Sequence, residues 1–401
     1  MGGQTTVLLG AGASVDAGLP HSHRLTERLV ESISGAGSTG IRDALYQVVG
    51  AIIAHDAKMG GNPYSGIDAE RVFTAVKMLA ERDDLEIAPF ISNWNDSRSG
   101  GRLPFGWARD FEKALNAKKP YSVERLFRDG VGKLTAASVS SAVYGGLMGQ
   151  MLGRLQTILT AKDIGHFAYL YPLFELPAPV SIATLNYDLG VESAAQLYNI
   201  GLDRGAWGGG FDWSWRADSM YRLLKLHGSL DWDKGKAREA LSGADSLDED
   251  AAVVEAELKK SFGMTTPEIV FGAREKLQAE GPFLAMLLEF SRWLQATNHL
   301  IVVGYSFRDE HINVLIRDWL EGHASPELTI VDPSFPSMPG GYGYPPFVEW
   351  LSRKVYVEHV LGEDKYGNRP VRFEFRPGFD VFRKGARAAL PNACHPRLEF
   401  N

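Results

Sequence analysis

The most constraining feature of this 401-residue chain is a glycine-rich turn that directly follows its first strand-like segment. Residues 6–9 are apolar strand formers, residues 10–14 read GAGAS, and residues 17–20 read AGLP. Glycines let backbone N–H groups approach a pyrophosphate, and Ser14 is suited to capping the next helix and contacting the same ligand. The turn therefore predicts either a dinucleotide site or a close packing of helix on strand. The G-x-G-x-x-G pattern is incomplete, because Val15 stands at its third glycine.

Short apolar runs recur along the chain, with helical patterns between them. They occupy residues 6–9, 180–183, 223–226, 269–271, 300–303 and 328–331. Near-continuous apolar runs are typical of parallel strands that are buried on both faces, and alternation with helices favours the α/β class. The sequence therefore predicts a Rossmann-like, doubly wound parallel sheet.

Helical patterns fill the long stretch between the first and second apolar runs. We therefore predict a large helical insertion at residues 35–175, resting on a discontinuous core of residues 1–34 and 176–335. Residues 234–260 are charged and rich in alanine, which favours one more helix. A linker and a small β-hairpin extension are predicted in residues 336–401, and we expect this segment to contact another copy of the chain.

Composition limits the partners that the chain is expected to have. The net charge is −7, which does not favour direct binding of nucleic acid. A single cysteine, Cys394, excludes an intrachain disulfide and a Cys-rich zinc ribbon. No apolar run is long enough to span a bilayer, and no secretory signal pattern is visible. We expect a cytoplasmic chain with no metal and no membrane association.

Candidate ligand-binding residues follow four of the later apolar runs, at the strand ends where open parallel sheets bind ligands. They are Thr184, Asn186 and Asp188 after the second run, His227 after the third, Gly304 and Ser306 after the fifth, and Asp332 after the sixth. An amide such as Asn186 suits ribose hydroxyls or an ordered water, and an imidazole can act as a base. Asp188 is equally suited to capping the helix that starts near residue 190, and Asp332 to a turn before Pro333. We expect these strand ends to meet at one edge of the sheet.

These motifs, in this order, resemble those of the sirtuin superfamily. The matching segments are GAGAS with AGLP, then TLNYD at residues 184–188, HG at 227–228 and GYS at 304–306. Residues 304–313 (GYSFRDEHIN) are especially similar to the bacterial sirtuin-like proteins of antiphage defence, which cleave NAD. Some members of that branch act with a HerA-type translocase ATPase, and others with short Argonautes or cyclic-nucleotide-sensing modules. The resemblance implies such a partner here.

The chain departs from the protein-deacylating sirtuins at several positions. Leu185 precedes Asn186 where those enzymes carry glutamine, and His21-Ser22-His23 replaces their Asp-Phe-Arg. A chain with one cysteine cannot build their four-cysteine zinc module, which helps to shape the acyl-lysine cleft. The resemblance therefore implies an NAD site without zinc, and the departures argue against deacylation.

The resemblance also implies roles in breaking the bond between nicotinamide and ribose, which yields nicotinamide and ADP-ribose. Asn186 would orient a water and the ribose hydroxyls, His227 would act as the base, and Asp188 would contact the carboxamide or support Asn186. The remaining cofactor-binding residues are expected to be Gly10, Ala11, Gly12, Ser14 and Thr184, with Gly304, Ser306 and Asp332 on the adenosine side. NAD is thus the expected substrate, and its depletion is the expected route of defence.

Other activities would use the same pocket. ADP-ribosyl transfer, cyclisation of NAD and residual NAD-dependent deacylation are enzymatic alternatives. A sensor of an ADP-ribose-type ligand and a scaffold for a partner ATPase are non-enzymatic alternatives. Because an unregulated NAD hydrolase would poison its host, we also expect a gate in the helical insertion, in a homo-oligomer contact or in a partner protein.

Overall fold

A parallel β-sheet forms the centre of the structure. The computed structural model describes residues 4–36, 39–60, 66–88, 140–209, 211–233, 267–269, 282–339, 344–360 and 371–394. The strands in those ranges are β1 (Gln4–Leu9), β2 (Val180–Thr184), β3 (Leu202–Asp203), β4 (Ala206–Gly209), β5 (Asp212–Ser214), β6 (Tyr221–Lys225), β7 (Gly228–Asp233), β8 (Pro267–Ile269), β9 (Thr297–Val303), β10 (Glu327–Val331), β11 (Tyr356–Val360), β12 (Val371–Phe375) and β13 (Phe379–Phe382).

The central sheet confirms the predicted α/β class. Seven of the described strands pair in the order β13-β10-β9-β1-β2-β6-β3, and every neighbouring pair is parallel. All five residues of β2 are buried, as expected for a strand that is covered on both faces. The predicted run at residues 269–271 corresponds to β8, which pairs with β7 outside the central sheet, and residues 270 and 271 lie outside the described ranges.

Helices cover the sheet and also pack on one another. They are α1 (Ser22–Ala36), α2 (Thr39–Lys58), α3 (Ala69–Ala80), α4 (Ser141–Leu159), α5 (Gly190–Leu197), α6 (Phe283–Ala296), α7 (Glu310–Gly322), α8 (Pro346–Val355) and α9 (Ala386–Ala393), with 3-10 helices at Ala11–Ala17 and Ile164–Phe174. None of these described helices is long and apolar enough to cross a membrane.

Helices α1 to α4 form a helical layer with its own apolar core. Leu29, Phe73, Tyr144 and Met151 are fully buried or nearly so within it. Tyr187, which follows β2, packs into the same core, so the helical layer rests against the carboxyl edge of the sheet. Residues 89–139 and the predicted helix at residues 234–260 lie outside the described ranges. The limits of the predicted domains stay predictions.

The C-terminal segment contributes to the central sheet. The predicted hairpin is formed by β11 and β12, which pair in antiparallel fashion. The sequence analysis did not find that β13 then extends the main sheet beside β10, or that α8 forms next to the predicted linker. Helix α9 buries Leu390 against the apolar core beneath β1. This segment is therefore part of the same folded unit as the sheet.

Two glycine turns meet above the ends of β1 and β9. The Gly12 N–H donates to the Gly304 carbonyl at 2.8 Å, and the Gly10 N–H donates to the Val303 carbonyl at 2.9 Å. A Cβ atom on Gly12 would lie 2.7 Å from the Gly304 Cα atom, and Gly304 has a φ of +61°. The glycines are required here because the two backbones approach more closely than any side chain allows.

We predict that Gly304→Ala lowers the free energy of unfolding by at least about 2 kcal/mol, because its Cβ would lie 2.3 Å from the Ala13 nitrogen at a strained positive φ. The control is Gly322→Ala at the end of α7, where an added Cβ meets none of the described atoms within 4 Å. Urea denaturation followed by circular dichroism measures both. Equal stability of the two variants would contradict this account of the turn.

Candidate active site

The predicted site residues lie at the ends of five neighbouring strands. In the order β10, β9, β1, β2 and β6, these strands end next to Asp332, Gly304, Gly10, Leu185 and Leu226. Neighbouring strands are about 4.8 Å apart, so the five ends span roughly 20 Å. Segments far apart in sequence thus share one edge of the sheet, as expected from the order of the apolar runs.

The Asn186 side chain is held in one orientation by the glycine turn. Its Nδ2 atom donates to the Gly10 carbonyl at 3.0 Å and to the Ser14 Oγ atom at 3.1 Å. A carbonyl oxygen can only accept, so the amide nitrogen must face Gly10. Both hydrogens of Nδ2 are therefore used, and Oδ1 is the atom that Asn186 can offer to a ligand. The side chain is buried, so this acceptor is shielded from bulk water.

Ser14 links Asn186 to Asp188. The Ser14 hydroxyl donates to the Asp188 Oδ2 atom at 2.8 Å while it accepts from Asn186. The expectation that Ser14 caps the following helix is wrong, because Ser14 lies inside the 3-10 helix Ala11–Ala17 and α1 begins only at Ser22. The Asp188 Oδ1 atom accepts from the Gly190 N–H at 2.8 Å, so the predicted contact with the start of α5 is present as well.

The buried side chain of Lys225 holds the Asp188 backbone in place. Lys225 is only 1% exposed, and its Nζ atom donates to the Asp188 carbonyl. The same Nζ atom lies 3.5 Å from Glu192 Oε1, which is also 3.7 Å from the Arg204 Nε atom. The sequence analysis missed Lys225, although its position between two buried leucines of the β6 segment was a signal. A charge at the end of a buried strand needs a partner.

His227 is fixed by the carboxylate of Asp309, the residue directly before α7. Its Nε2 atom lies 3.0 Å from the Asp309 Oδ2 atom, and both side chains are more than nine-tenths buried. An ionised carboxylate only accepts, so Nε2 carries the hydrogen and Nδ1 carries the lone pair of the neutral ring. Asp309 also caps α7, because its Oδ1 atom accepts from the His311 N–H at 3.1 Å. Asp309 was not among the residues that the sequence predicted for this site.

A second carboxylate approaches His227 from the helical layer. The Oε1 atom of Glu70, on α3, lies 3.7 Å from His227 Nδ1 and accepts from the Tyr187 hydroxyl at 3.0 Å. Burial and the Glu70 charge raise the pKa of Tyr187 well above its usual value, so its hydroxyl stays a donor. The sequence analysis missed Glu70, because nothing local links it to a histidine in a distant strand.

Most of the other predicted cofactor-binding residues contact nearby backbone groups, and Ser306 is exposed. The Thr184 Oγ1 atom accepts from the Asn186 N–H at 3.1 Å, and Ser306 is exposed. The Asp332 Oδ1 atom accepts from the Ser334 N–H at 2.7 Å, as in a turn, and burial raises its pKa. The N–H groups of Gly10 and Gly12 are occupied by protein carbonyls. The roles predicted for these residues and for Ala11 at a dinucleotide stay predictions.

The described histidines and carboxylates do not form a metal cluster. No group of three or more His, Cys, Asp and Glu in the ranges that the structure describes is arranged to hold a metal ion. His23, near the site, instead places its Nε2 atom 2.9 Å from an Arg308 guanidinium nitrogen. Many polar groups of this edge are therefore bound to one another and to backbone.

Part of the chain matches a family model, that of the SIR2-like domain. The family model matches residues 180–338, the range from β2 to just beyond β10. The match includes Asn186, His227 and the turn at Gly304, but not the first glycine turn. No curated protein matches the chain at a significant level. The match supports the resemblance to the sirtuin superfamily, whose SIR2-like members are NAD-dependent enzymes, and it fits NAD-related chemistry in the broad sense.

We predict that Lys225→Met lowers the free energy of unfolding by about 3 kcal/mol, because it leaves Glu192 and the Asp188 carbonyl without a buried cation. The control is Lys354→Met, which removes an exposed ion pair with Glu321 at 3.9 Å and should cost less than about 0.5 kcal/mol. Chemical denaturation compares the two variants. A Lys225→Met protein as stable as the control would show that the buried contact contributes little.

Proposed function

We propose that this protein hydrolyses NAD at the bond between nicotinamide and ribose, releasing nicotinamide and ADP-ribose. One observation carries the proposal: Asn186 and His227, at the ends of the paired strands β2 and β6, are each buried and held in one orientation by polar partners. A fixed acceptor beside a fixed imidazole suits the delivery of one water to a bound sugar. The SIR2-like domain supports NAD as the source of that sugar.

The proposed chemistry makes limited demands on the protein. As the bond breaks, positive charge grows at the anomeric carbon, and nicotinamide leaves as a neutral molecule that keeps the bonding electron pair. No acid is needed for its departure. The site must hold the ribose, exclude bulk water and supply one water molecule. Buried polar groups with fixed orientations meet these demands, because they need little reorganisation during the reaction.

Asn186 is proposed to orient the sugar or the water through Oδ1. Its amide nitrogen is fully used by Gly10 and Ser14, so the carbonyl oxygen is directed by the turn. Asp188 acts on Asn186 through the Ser14 hydroxyl, which favours the supporting role among the two roles expected for Asp188. In this proposal Ser14 and Asp188 are positioning residues, and Asn186 contacts the reacting groups.

His227 is proposed to take a proton from the attacking water. Asp309 holds the hydrogen of Nε2, so Nδ1 is the basic nitrogen of the neutral ring. The water oxygen bonds to the anomeric carbon, its proton moves to Nδ1, and the proton later passes to solvent. The Asp309 carboxylate stabilises the positive ring that forms, because opposite charges attract strongly where water is excluded.

We further propose antiphage defence by depletion of NAD as the setting of this activity. The similarity of residues 304–313 to that branch of sirtuin-like proteins supports this setting. A homo-oligomer and a HerA-type ATPase are the proposed partners, and the cytoplasm is the proposed compartment. Native mass spectrometry of the chain purified alone and with a co-expressed ATPase tests these assemblies.

We predict that Asn186→Ala lowers the rate of nicotinamide release from NAD by at least about a hundredfold, the effect typical of removing a group that stabilises a transition state. The matched control is Asn298→Ala, which removes an exposed amide at the opposite, amino end of β9. Chromatography of the products over time, with thermal unfolding of each variant, separates lost chemistry from lost folding.

Product analysis also distinguishes the alternatives. ADP-ribose as the product supports hydrolysis, whereas a cyclic nucleotide, an ADP-ribosylated acceptor or a deacylated peptide would indicate the transfer reactions. A protein that binds NAD without ever releasing nicotinamide would be a sensor, and hydrolysis would then be wrong. A folded Asn186→Ala variant that cleaves NAD at the normal rate would contradict the proposed role of Asn186.

A further inference from the structure

We propose that Glu70, carried by the helical layer, is a positioning residue for the His227 base and for the water that this base deprotonates. The inference rests on the hydrolysis proposed above and adds a residue that lies outside the segments resembling sirtuins. It gives the helical layer a direct part in the chemistry. The fold brings three side chains together at this point, namely Tyr187, Glu70 and His227.

The Glu70 carboxylate is aimed at the free nitrogen of the His227 ring. Its Oε1 atom lies 3.7 Å from Nδ1, too far for a direct hydrogen bond. Nδ1 is itself buried and has no hydrogen-bond partner among the described residues. Glu70 itself is 31% exposed, so its carboxylate is within reach of water. A buried nitrogen without a partner next to a carboxylate indicates a place for a further polar group.

One water molecule bound to both atoms would suit the chemistry of this pair. Since Asp309 fixes the hydrogen on Nε2, Nδ1 and the Glu70 carboxylate are both acceptors, and two acceptors facing each other repel. A water about 2.8 Å from each of them could donate one hydrogen to each. When Nδ1 then takes its proton, the ring becomes positive between two carboxylates, and both attract it. Glu70 thus aligns the water and stabilises the charge that the reaction creates.

Several contacts hold the start of α3, and hence Glu70, in place. Asp68 caps α3 by accepting from the Glu70 N–H at 2.9 Å, and the Ser22 hydroxyl of α1 donates to the same carboxylate at 2.6 Å. Arg308, from the second glycine turn, lies 3.9 Å from Asp68. The Tyr187 hydroxyl fixes the Glu70 carboxylate itself. A movement of α3 relative to the sheet would therefore withdraw Glu70 from His227 and slow the reaction.

The test compares Glu70→Gln and Glu70→Asp with the control Glu81→Gln, which makes the same change in an exposed residue that follows α3. In Glu70→Gln we expect kcat for nicotinamide release to fall about tenfold, less than the contribution typical of a base itself, with KM for NAD changed less than twofold. Glu70→Asp keeps the charge and should recover part of kcat. Glu81→Gln should match the wild type.

A second measurement does not depend on NAD. In protein labelled with 15N-histidine, the ring signals of His227, assigned by their loss in His227→Gln, should shift in Glu70→Gln but not in Glu81→Gln. Unchanged His227 signals in Glu70→Gln would overturn the proposal. It would also be overturned if both Glu70 variants lost the same fraction of kcat and this loss followed a lower unfolding temperature. If the wild type releases no nicotinamide, the proposed hydrolysis fails, and the ring signals alone decide whether Glu70 acts on His227.

Discussion

The close contact between the two glycine turns is the constraint on which the rest of the site depends. Because Gly12 donates to the Gly304 carbonyl, the turns after β1 and β9 are locked together above neighbouring strands. The Gly10 carbonyl can then face Asn186 at the end of β2, on the other side of β1. Side chains at either glycine would separate these backbones. The orientation of the Asn186 amide is therefore set by backbone packing, before any ligand is considered.

The site lies where the helical layer meets the edge of the sheet. The sheet has an apolar cluster on each face, and helices α1 to α4 form a third cluster that also includes Tyr187. Polar contacts also connect the layers, because Tyr187 and His227 belong to the sheet edge and Glu70 belongs to the helical layer. Such contacts are weaker and more geometry-dependent than apolar packing. A helical layer attached in this way can influence the chemistry of the edge through small displacements.

Much of the fold follows from the sequence, but the partners within the site do not. The apolar runs predict the strands, and the polar residues after them predict which strand ends share an edge. The prediction that Ser14 caps the next helix was wrong. Its partner Asp188 lies 174 residues further along the chain, and a cap is the simplest local interpretation of such a serine. Asp309 and Glu70 were missed for the same reason. Strand β13 was not predicted because it is short and half-buried, as edge strands often are.

The most direct test of the account is an experimental structure of the Asn186→Ala protein with NAD bound, since this variant should retain its substrate. The account predicts that the nicotinamide ribose lies at the carboxyl edge of the sheet, next to His227. It should lie within hydrogen-bond distance of the position that the Asn186 amide occupies in the wild type. NAD bound at another surface, or a ribose on the far side of the sheet from His227, would contradict it.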